Sequence, residues 1–459
     1  MIHDGALALS VVESRGIRMD VPYLQQLEAD TDHKIRESTA RLKTGSRIYT
    51  EWQARYGQAT NMDSRDQLGQ ILFGTMGMTY HGPAATGKDG KAKYTADDEV
   101  LSAIKSPWVA EYLKMQKLEK LQGTYIRGML RNMWGDRLHP VYNLHIARTF
   151  RSTSSDPNFQ NIPIRNPDTG PLIRRAFLAS EGCRLVEADF SGIEVHAAAW
   201  YHKDPTMLHY LATGYDMHTE QAGHCFRLDM TTVAKKDAKP MRQAAKGDFV
   251  FSQFYGDWFA SCAASLWKHA GDLRLGDGTV LDHLMACGFT ELGMLHKAKG
   301  QRAEPTPGSY MAHIRDVEHN FWDLTHPIYK QWRERHYETY LQTGGIDMLT
   351  GFRIEGEMTR NQCINYPVQG AAFHCLLWCL IRLNIALEQN GMRSRVVGQI
   401  HDSILADVYV DEMELYVALA RQIMTVDLPA HFRFICTTVD VEIEATPVGG
   451  CWADKEKIE

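Results

Sequence analysis

The sequence predicts an α+β fold, and three observations point to it. RLVEADF (184–190) reads as a buried strand and IEVHAAAWYH (193–202) as the helix that follows, which sets a strand-to-helix junction at 189–194. RVVGQI (395–400) and SILADV (403–408) read as two short strands with only His401 and Asp402 between them. Most of the remaining chain has helical periodicity, so a few strands are set among runs of helices.

The other elements follow in chain order. Residues 1–60 show helical spacing, as in Leu7, Val11 and Val12, then a long charged helix ending near Tyr56 and Gly57. Two helical stretches, DSRDQLGQILF and PWVAEYLKMQKLEKLQG, flank the Gly- and Lys-rich loop YHGPAATGKDGKAKY (80–94). That loop suits a flexible phosphate contact and equally suits a solvated connection. Pro240 is expected to open a helix running through MRQAAKGDFVFSQFYG, since proline is tolerated at a first helical position. Residues 270–309 read as irregular around one short helical piece, as in an insertion. The apolar run 371–389 predicts a helix that Asn390 and Gly391 terminate.

Composition excludes several classes. The 459 residues are enough for several subdomains around a sizeable core, and 44% hydrophobic with 23% charged residues is ordinary for a globular chain. Fifty Lys and Arg against 56 Asp and Glu leave a formal charge of −6, so any phosphate-binding surface must be local. The nine cysteines are scattered, odd in number and never spaced Cys-x-x-Cys, which predicts reduced intracellular thiols. The first twenty residues lack the apolar core of a signal peptide. His374, Arg382 and Asn384 interrupt the most apolar helix candidate, so no membrane is expected as a partner and the localisation expected is cytoplasmic.

Two-residue hairpins favour Asn-Gly or Asp-Gly because the turn needs positive φ, so His401-Asp402 breaks a local rule, and such breaks concentrate at functional sites. Asp189 closes the other strand. Two Asp residues at strand ends are a good geometry for holding divalent ions, which take hard oxygen ligands.

Five segments, in this order, carry more information: ARTFRSTSSDPNFQNIPIR (147–165), EADFSGIE (187–194), RQAAKGDFVFSQFYG (242–256), NYPVQG (365–370) and QIHDS (399–403). They resemble TGRLSSSDPNLQNIPIR, DYSQIE, RRxxKxxxFxxxYG and the two closing motifs of the family A DNA polymerases, the group of bacterial DNA polymerase I and the phage replicases. GIRMD, NMDSRDQLGQILF, KLEKLQGTYI and Trp452 extend the likeness over nearly the whole chain. The resemblance implies a right-hand fold with an antiparallel-sheet palm, helical thumb and helical fingers. It implies a lead-in over 1–60, thumb 61–131, first palm part 132–205, fingers 206–364 with the insertion near 270–309, and second palm part 365–459.

It also implies DNA-directed DNA synthesis on primer-template DNA with deoxynucleoside triphosphates, by two-metal phosphoryl transfer with Mg2+, or with Mn2+ in its place. Asp189 and Asp402 match the two catalytic aspartates, and the Phe190 backbone carbonyl would complete one metal site. Glu194 matches the discriminator against a ribose 2′-hydroxyl, although Ser191 to Glu194 also has the spacing of a helix capping box. Arg242, Lys246 and His218 match triphosphate contacts, with Lys246 counted among the catalytic residues. Phe251 and Tyr255 match aromatics that stack on sugar and base. Arg151, Asn158, Gln160 and Asn161 match the segment along primer and template, and Asn365, Gln369 and His401 match residues near the terminal base pair. Amide and guanidinium donors suit that work, since minor-groove acceptors are common to all base pairs. Arg148, Arg165, Arg174 and Arg175 add local positive charge.

The chain departs from the family in informative places. Phe150 replaces the glycine of TGR, Phe190 a tyrosine, Gly192 a glutamine, and Ser403 the glutamate after the second aspartate. Serine there is also similar to the single-subunit RNA polymerases, so an RNA polymerase-like enzyme and a non-catalytic DNA-binding scaffold are the alternatives. The family's exonuclease domain precedes the GIRMD-like segment, so no proofreading is expected of this chain. A phage-like source fits these divergences, and a separate exonuclease or processivity factor is left open.

In the fingers motif the family spaces Lys, Phe and Tyr by four and eight residues, about 0°, 40° and 80° around a helix. Here Phe251 and Tyr255 follow Lys246 by five and nine residues, at about 140° and 180°. Convergence on one nucleotide therefore predicts a π-bulge or break near Gly247 and Asp248, both poor helix formers.

Overall fold

The computed structural model describes residues 1–80, 82, 85, 86, 92–163, 166, 168–297 and 303–458, so most of the expected 80–94 loop, part of the 270–309 insertion and Arg165 lie outside the described residues. Helix α1 (Ile2–Arg15) buries Leu9 and Val12. Ile17 and Arg18 then pair antiparallel with Leu138 and Arg137. Helix α2 (Val21–Lys43) starts where the Asp20 side chain accepts from the Tyr23 amide. The charged helix expected to run to Tyr56 is broken: Gly45 takes φ 65° and Ser46 caps a new helix, α3 (Arg47–Tyr56). Thr44-Gly45-Ser46 are better caps than helix formers, which is why the chain turns there. Helix α4 (Pro107–Lys120) lies along α2, and Trp108 Nε1 donates to the Leu42 carbonyl at 2.9 Å. Leu42, Ile48 and Trp52 thereby share one apolar core with Leu68, Leu101 and Tyr112.

The larger core surrounds a five-stranded antiparallel sheet. Strand β1 (Cys183–Phe190) runs into α5 (Ile193–His202). Helices α6 (Met217–Phe226), α7 (Lys235–Ala245), α8 (Pro327–Thr343) and α9 (Arg360–Gln389) follow. Strands β2 (Arg395–Ile400), β3 (Ser403–Tyr409), β4 (Val441–Ala445) and β5 (Glu456–Lys457) complete the sheet in the order β2-β3-β1-β4-β5. Ala188 pairs with Ile404 and Val186 with Ala406, all buried. Alternation then puts Asp189 with Ser403, and Glu187 with Leu405, on the opposite face. The architecture is α+β, as the sequence predicts.

Two helices differ from the reading above. Pro240 is inside α7, which begins five residues earlier. Pro240 and Lys236 are both exposed, so water can take the carbonyl that proline leaves unpaired. Helix α9 begins at Arg360, well before 371, because Thr359 and Gln362 form a reciprocal capping box. Pro367 inside α9 removes the donor for the Cys363 carbonyl, and the His336 ring of α8 bonds that carbonyl in its place. At 30 residues α9 is long and apolar enough to cross a membrane by length and composition alone, but 72% of its apolar 18-residue window is buried inside the protein.

Gly370, the last residue of NYPVQG, marks where α9 meets the 147–165 segment. A Cβ there would lie 2.4 Å from the Thr149 carbonyl oxygen and 2.4 Å from Met348 Cε. Gly370→Ala is therefore expected to cost about 1–3 kcal/mol of stability by overpacking, read as a lowered thermal midpoint. Phe150, which follows Thr149, holds φ 56°, a left-handed conformation that a glycine takes freely, and its ring packs against Phe352 at 5.2 Å.

Candidate active site

The hairpin between β2 and β3 presents Asp402. His401 has φ 47°, the positive value a two-residue turn requires. A buried amide holds it there. Gln399 Nε2 donates to the His401 carbonyl at 2.7 Å, Gln399 Oε1 accepts from Ser152 Oγ at 2.8 Å and Gln160 Nε2 at 3.0 Å, and the Gln399 backbone N–H donates to Tyr142 Oη at 3.0 Å. The Phe190 amide donates to the Asp402 carbonyl at 3.2 Å, so the end of β1 abuts the turn.

Burial raises the Asp189 carboxyl to about 7, reinforced by the charges of Glu187 and Asp402. Burial likewise raises Asp402 to about 6, with Glu194 adding and Arg151 opposing. Among the described residues no group of three His, Cys, Asp or Glu side chains is placed to hold a metal ion. Asp189, Asp402 and the Phe190 carbonyl are the oxygen donors expected from the sequence, and the Phe190 amide bonded to the Asp402 carbonyl brings the two chain segments together. Two desolvated carboxylates whose charges repel are relieved by a divalent cation, and Mg2+ commonly takes only one or two carboxylates and keeps several waters. The donor set fits the expected ions.

Helix α5 settles the alternative for Glu194. Its N-cap is Gly192, at φ 68°, with no side-chain cap bond, so the capping box from Ser191 to Glu194 does not form. The left-handed backbone turns Glu194 away from the cap. Its carboxylate instead accepts from Tyr255 Oη at 2.7 Å and is bonded by Arg151 Nη2. Arg151, Glu194, Tyr255, Asn365, His401 and Asp402 line one cavity of about 350 Å³, together with Phe251.

The expected irregularity of the fingers motif is present: α7 passes at Lys246 into a π turn spanning Lys246–Phe251. The wider turn absorbs the extra residue. Lys246 Nζ lies 5.2 Å from the centroid of the Phe251 ring, His218 meets that ring edge-on at 5.7 Å, and Phe251 meets Tyr255 at 6.3 Å. Arg242 Nε donates to Asp216 Oδ2 at 2.7 Å. Burial, then the charges of Lys246 and Arg242, push His218 down to about 4, which marks how closely the three groups gather. The Tyr255 and Gly256 carbonyls are tied to α9 by Asn365 at 3.0 Å and Asn361 at 3.2 Å.

The residues expected along DNA are less uniform. Arg151 also donates to the Gln369 carbonyl at 3.4 Å, and Gln369 itself is half-buried on α9. Gln160 turns inward to the Gln399 network, while Asn158 and Asn161 are exposed on the short turn around it and do not line the cavity. Arg148 is bonded to the Glu355 and Glu357 carbonyls, Arg174 stacks on Trp452 at 4.3 Å and Arg175 on Tyr23 at 4.9 Å, so these three are engaged within the protein. Two residues bonded beside the candidate site were not singled out from the sequence, Gln399 and Glu187. The available signal was a polar residue inside a strand otherwise read as apolar.

Comparison with known proteins places the chain and its fold. The family model described as DNA polymerase family A matches residues 26–267 and 303–454. The chain is 30% identical over 450 residues to DNA polymerase I of Chloroflexus aurantiacus, covering 96% of this chain and 41% of that protein. It is 29% identical over 431 residues to the thermostable DNA polymerase I of Thermus aquaticus, covering 91% and 44%. The chain thus spans less than half the length of these relatives. The solved POL domain of Pol1 from M. smegmatis, in complex with DNA primer-template and dNTP, aligns over 99% of this chain and 70% of that one, at 22% identity and a TM-score of 0.73, which shows a shared fold. With the family model matched over most of its length, the chain belongs to DNA polymerase family A.

Proposed function

We propose that the chain carries out template-directed DNA synthesis, adding deoxynucleotides to a primer 3′-hydroxyl with release of pyrophosphate. The observation that carries this reading is the single cavity shared by Asp402, Glu194, Arg151, Tyr255, Asn365 and His401. Divalent ions held by Asp189, Asp402 and the Phe190 carbonyl would lower the pKa of the 3′-hydroxyl and neutralise the triphosphate and departing pyrophosphate.

The side chains do the positioning. Lys246 and Arg242 supply positive charge to the triphosphate, and His218, held neutral, supplies a hydrogen bond. Phe251 and Tyr255 offer ring faces to sugar and base. Arg151, Asn365 and His401 border the space for the terminal base pair, where amide and guanidinium donors read acceptors common to every pair. Glu194, locked to Tyr255 and Arg151, closes the side on which a 2′-hydroxyl would project. Glu194→Ala is expected to lower discrimination against ribonucleotides by roughly 10²-fold, measured as the ratio of kcat/KM for deoxy- and ribonucleotide insertion.

The test of the whole reading is extension of a primed template in Mg2+, first with deoxynucleotides and then with ribonucleotides. Preferential use of ribonucleotides would favour an RNA polymerase. Absence of any extension by the intact protein would sink the enzymatic reading.

A further inference from the structure

Family members carry a glutamate where this chain has Ser403, yet a third carboxylate still reaches the same face of the sheet, from the neighbouring strand. Glu187 sits two residues before Asp189 on β1 and therefore on its face, roughly 7 Å along the strand. It is only 6% exposed. Glu187 Oε1 lies 3.1 Å from Ser403 Oγ, and Ser403 is the register partner of Asp189. Glu187 Oε2 accepts from Trp452 Nε1 at 2.8 Å and from Lys455 Nζ at 2.5 Å.

Both donors come from the C-terminal segment, which is fastened to the sheet by β5, with Glu456 opposite Ala445 and Lys457 opposite Glu444. Lys455 Nζ also lies 2.6 Å from Glu444 Oε2, and its side chain is 16% exposed. The segment therefore delivers one largely buried ammonium into a face that carries Glu187, Asp189, Glu442 and Glu444. A buried carboxylate is sustained only when it is paired and hydrogen-bonded, and here Ser403, Trp452 and Lys455 bond Glu187 while Arg174 adds a nearby positive charge.

We propose that Glu187 is a positioning residue of the metal centre, taking over from the β1 side the charge lost at Ser403, and that Lys455 sets how much of that charge the centre feels. Glu187 draws a cation toward Asp189 through the low-dielectric interior, and Lys455 offsets it, so the two act on metal affinity with opposite signs. This inference rests on the metal-dependent reading of Asp189 and Asp402.

The experiment is a titration of the full chain with Mn2+, without DNA or nucleotide, following free Mn2+ by electron paramagnetic resonance. Glu187→Gln is expected to raise the dissociation constant about tenfold. Lys455→Met is expected to lower it at least threefold, and Lys455→Arg to keep the wild-type value. General damage to the fold would weaken binding in all variants and could not produce opposite shifts. Unchanged or weakened binding in Lys455→Met overturns the proposal, as does unchanged or tightened binding in a folded Glu187→Gln. If Glu187→Gln does not fold, Lys455→Met and Lys455→Arg decide alone. Undiminished Mn2+ binding by Asp189→Ala, or none by the wild type, would instead overturn the metal-centre reading beneath it.

Discussion

Replacement of Asp402 by alanine is expected to lower kcat for primer extension by roughly 10³-fold or more, the scale on which loss of one preorganised electrostatic contact acts in a transition state. The reason is positional. Asp402 is carried on a two-residue turn whose left-handed His401 is held by the Gln399 amide, so a main-chain scaffold that survives the substitution would lack only the ligand. The same variant is expected to be more heat-stable than wild type in metal-free buffer, because it removes one of two half-buried carboxylates that repel each other. Activity lost with stability gained separates loss of a ligand from misfolding. Undiminished synthesis by Asp402→Ala would remove Asp402 from the centre.

The second large effect is on folding. Asp204, with no solvent exposure, caps two chain segments at once. Its Oδ1 accepts from the Thr206 and Met207 amides at 3.0 and 3.1 Å, and its Oδ2 from the Ile328 and Tyr329 amides, both at 3.1 Å. One carboxylate thus welds the start of the helix Pro205–Thr213 to the start of α8. Asp204→Ala strands four amide donors in the interior and is expected to cost about 3–5 kcal/mol, seen as a large fall in the thermal midpoint.

The pH dependence follows from the same contacts. Burial works to raise the Asp204 carboxyl, but the His326 ring and the Met207 and Tyr329 amides outweigh it and hold it at about 2, below its ordinary 3.8. A carboxyl lowered by folding stabilises the protein above its unfolded pKa and loses that contribution as pH falls through the folded one. The wild type should therefore lose about 2 kcal/mol between roughly pH 4 and pH 2 that Asp204→Ala does not, measured as the difference between their midpoints across that range.

Much of the site was legible because its parts are short and local. The strand ending at Phe190, the helix from Ile193 and the His401-Asp402 hairpin each depend on neighbours in sequence, and each forms close to where it was read. The π turn at Lys246–Phe251 was legible for a related reason: a helix turns by a fixed angle, so one extra residue between groups that must converge has to be absorbed. The start of α9 was legible too, in the Thr359 to Gln362 capping signature, but the apolar run further along drew the boundary to 371.

The remaining decisions belong to contacts between distant segments. The four residues from Ser191 to Glu194 have the spacing of a capping box whether or not one forms; what decides is the left-handed turn at Gly192 and the pull of Arg151 and Tyr255, 43 and 61 residues away. Arg174 reads as surface charge until Trp452 lies under it. Leu42 and Trp52 gain a core only where Tyr112 and Leu101, far along the chain, close over them. The sequence by itself determined the fold class and which strands and helices carry the candidate residues, because motif spacing and backbone propensity act within a few residues. Tertiary structure alone decided which carboxylates are neutralised, by whom, and which are left facing an open cavity, because desolvation and ion pairing depend on groups that meet only when the chain is packed.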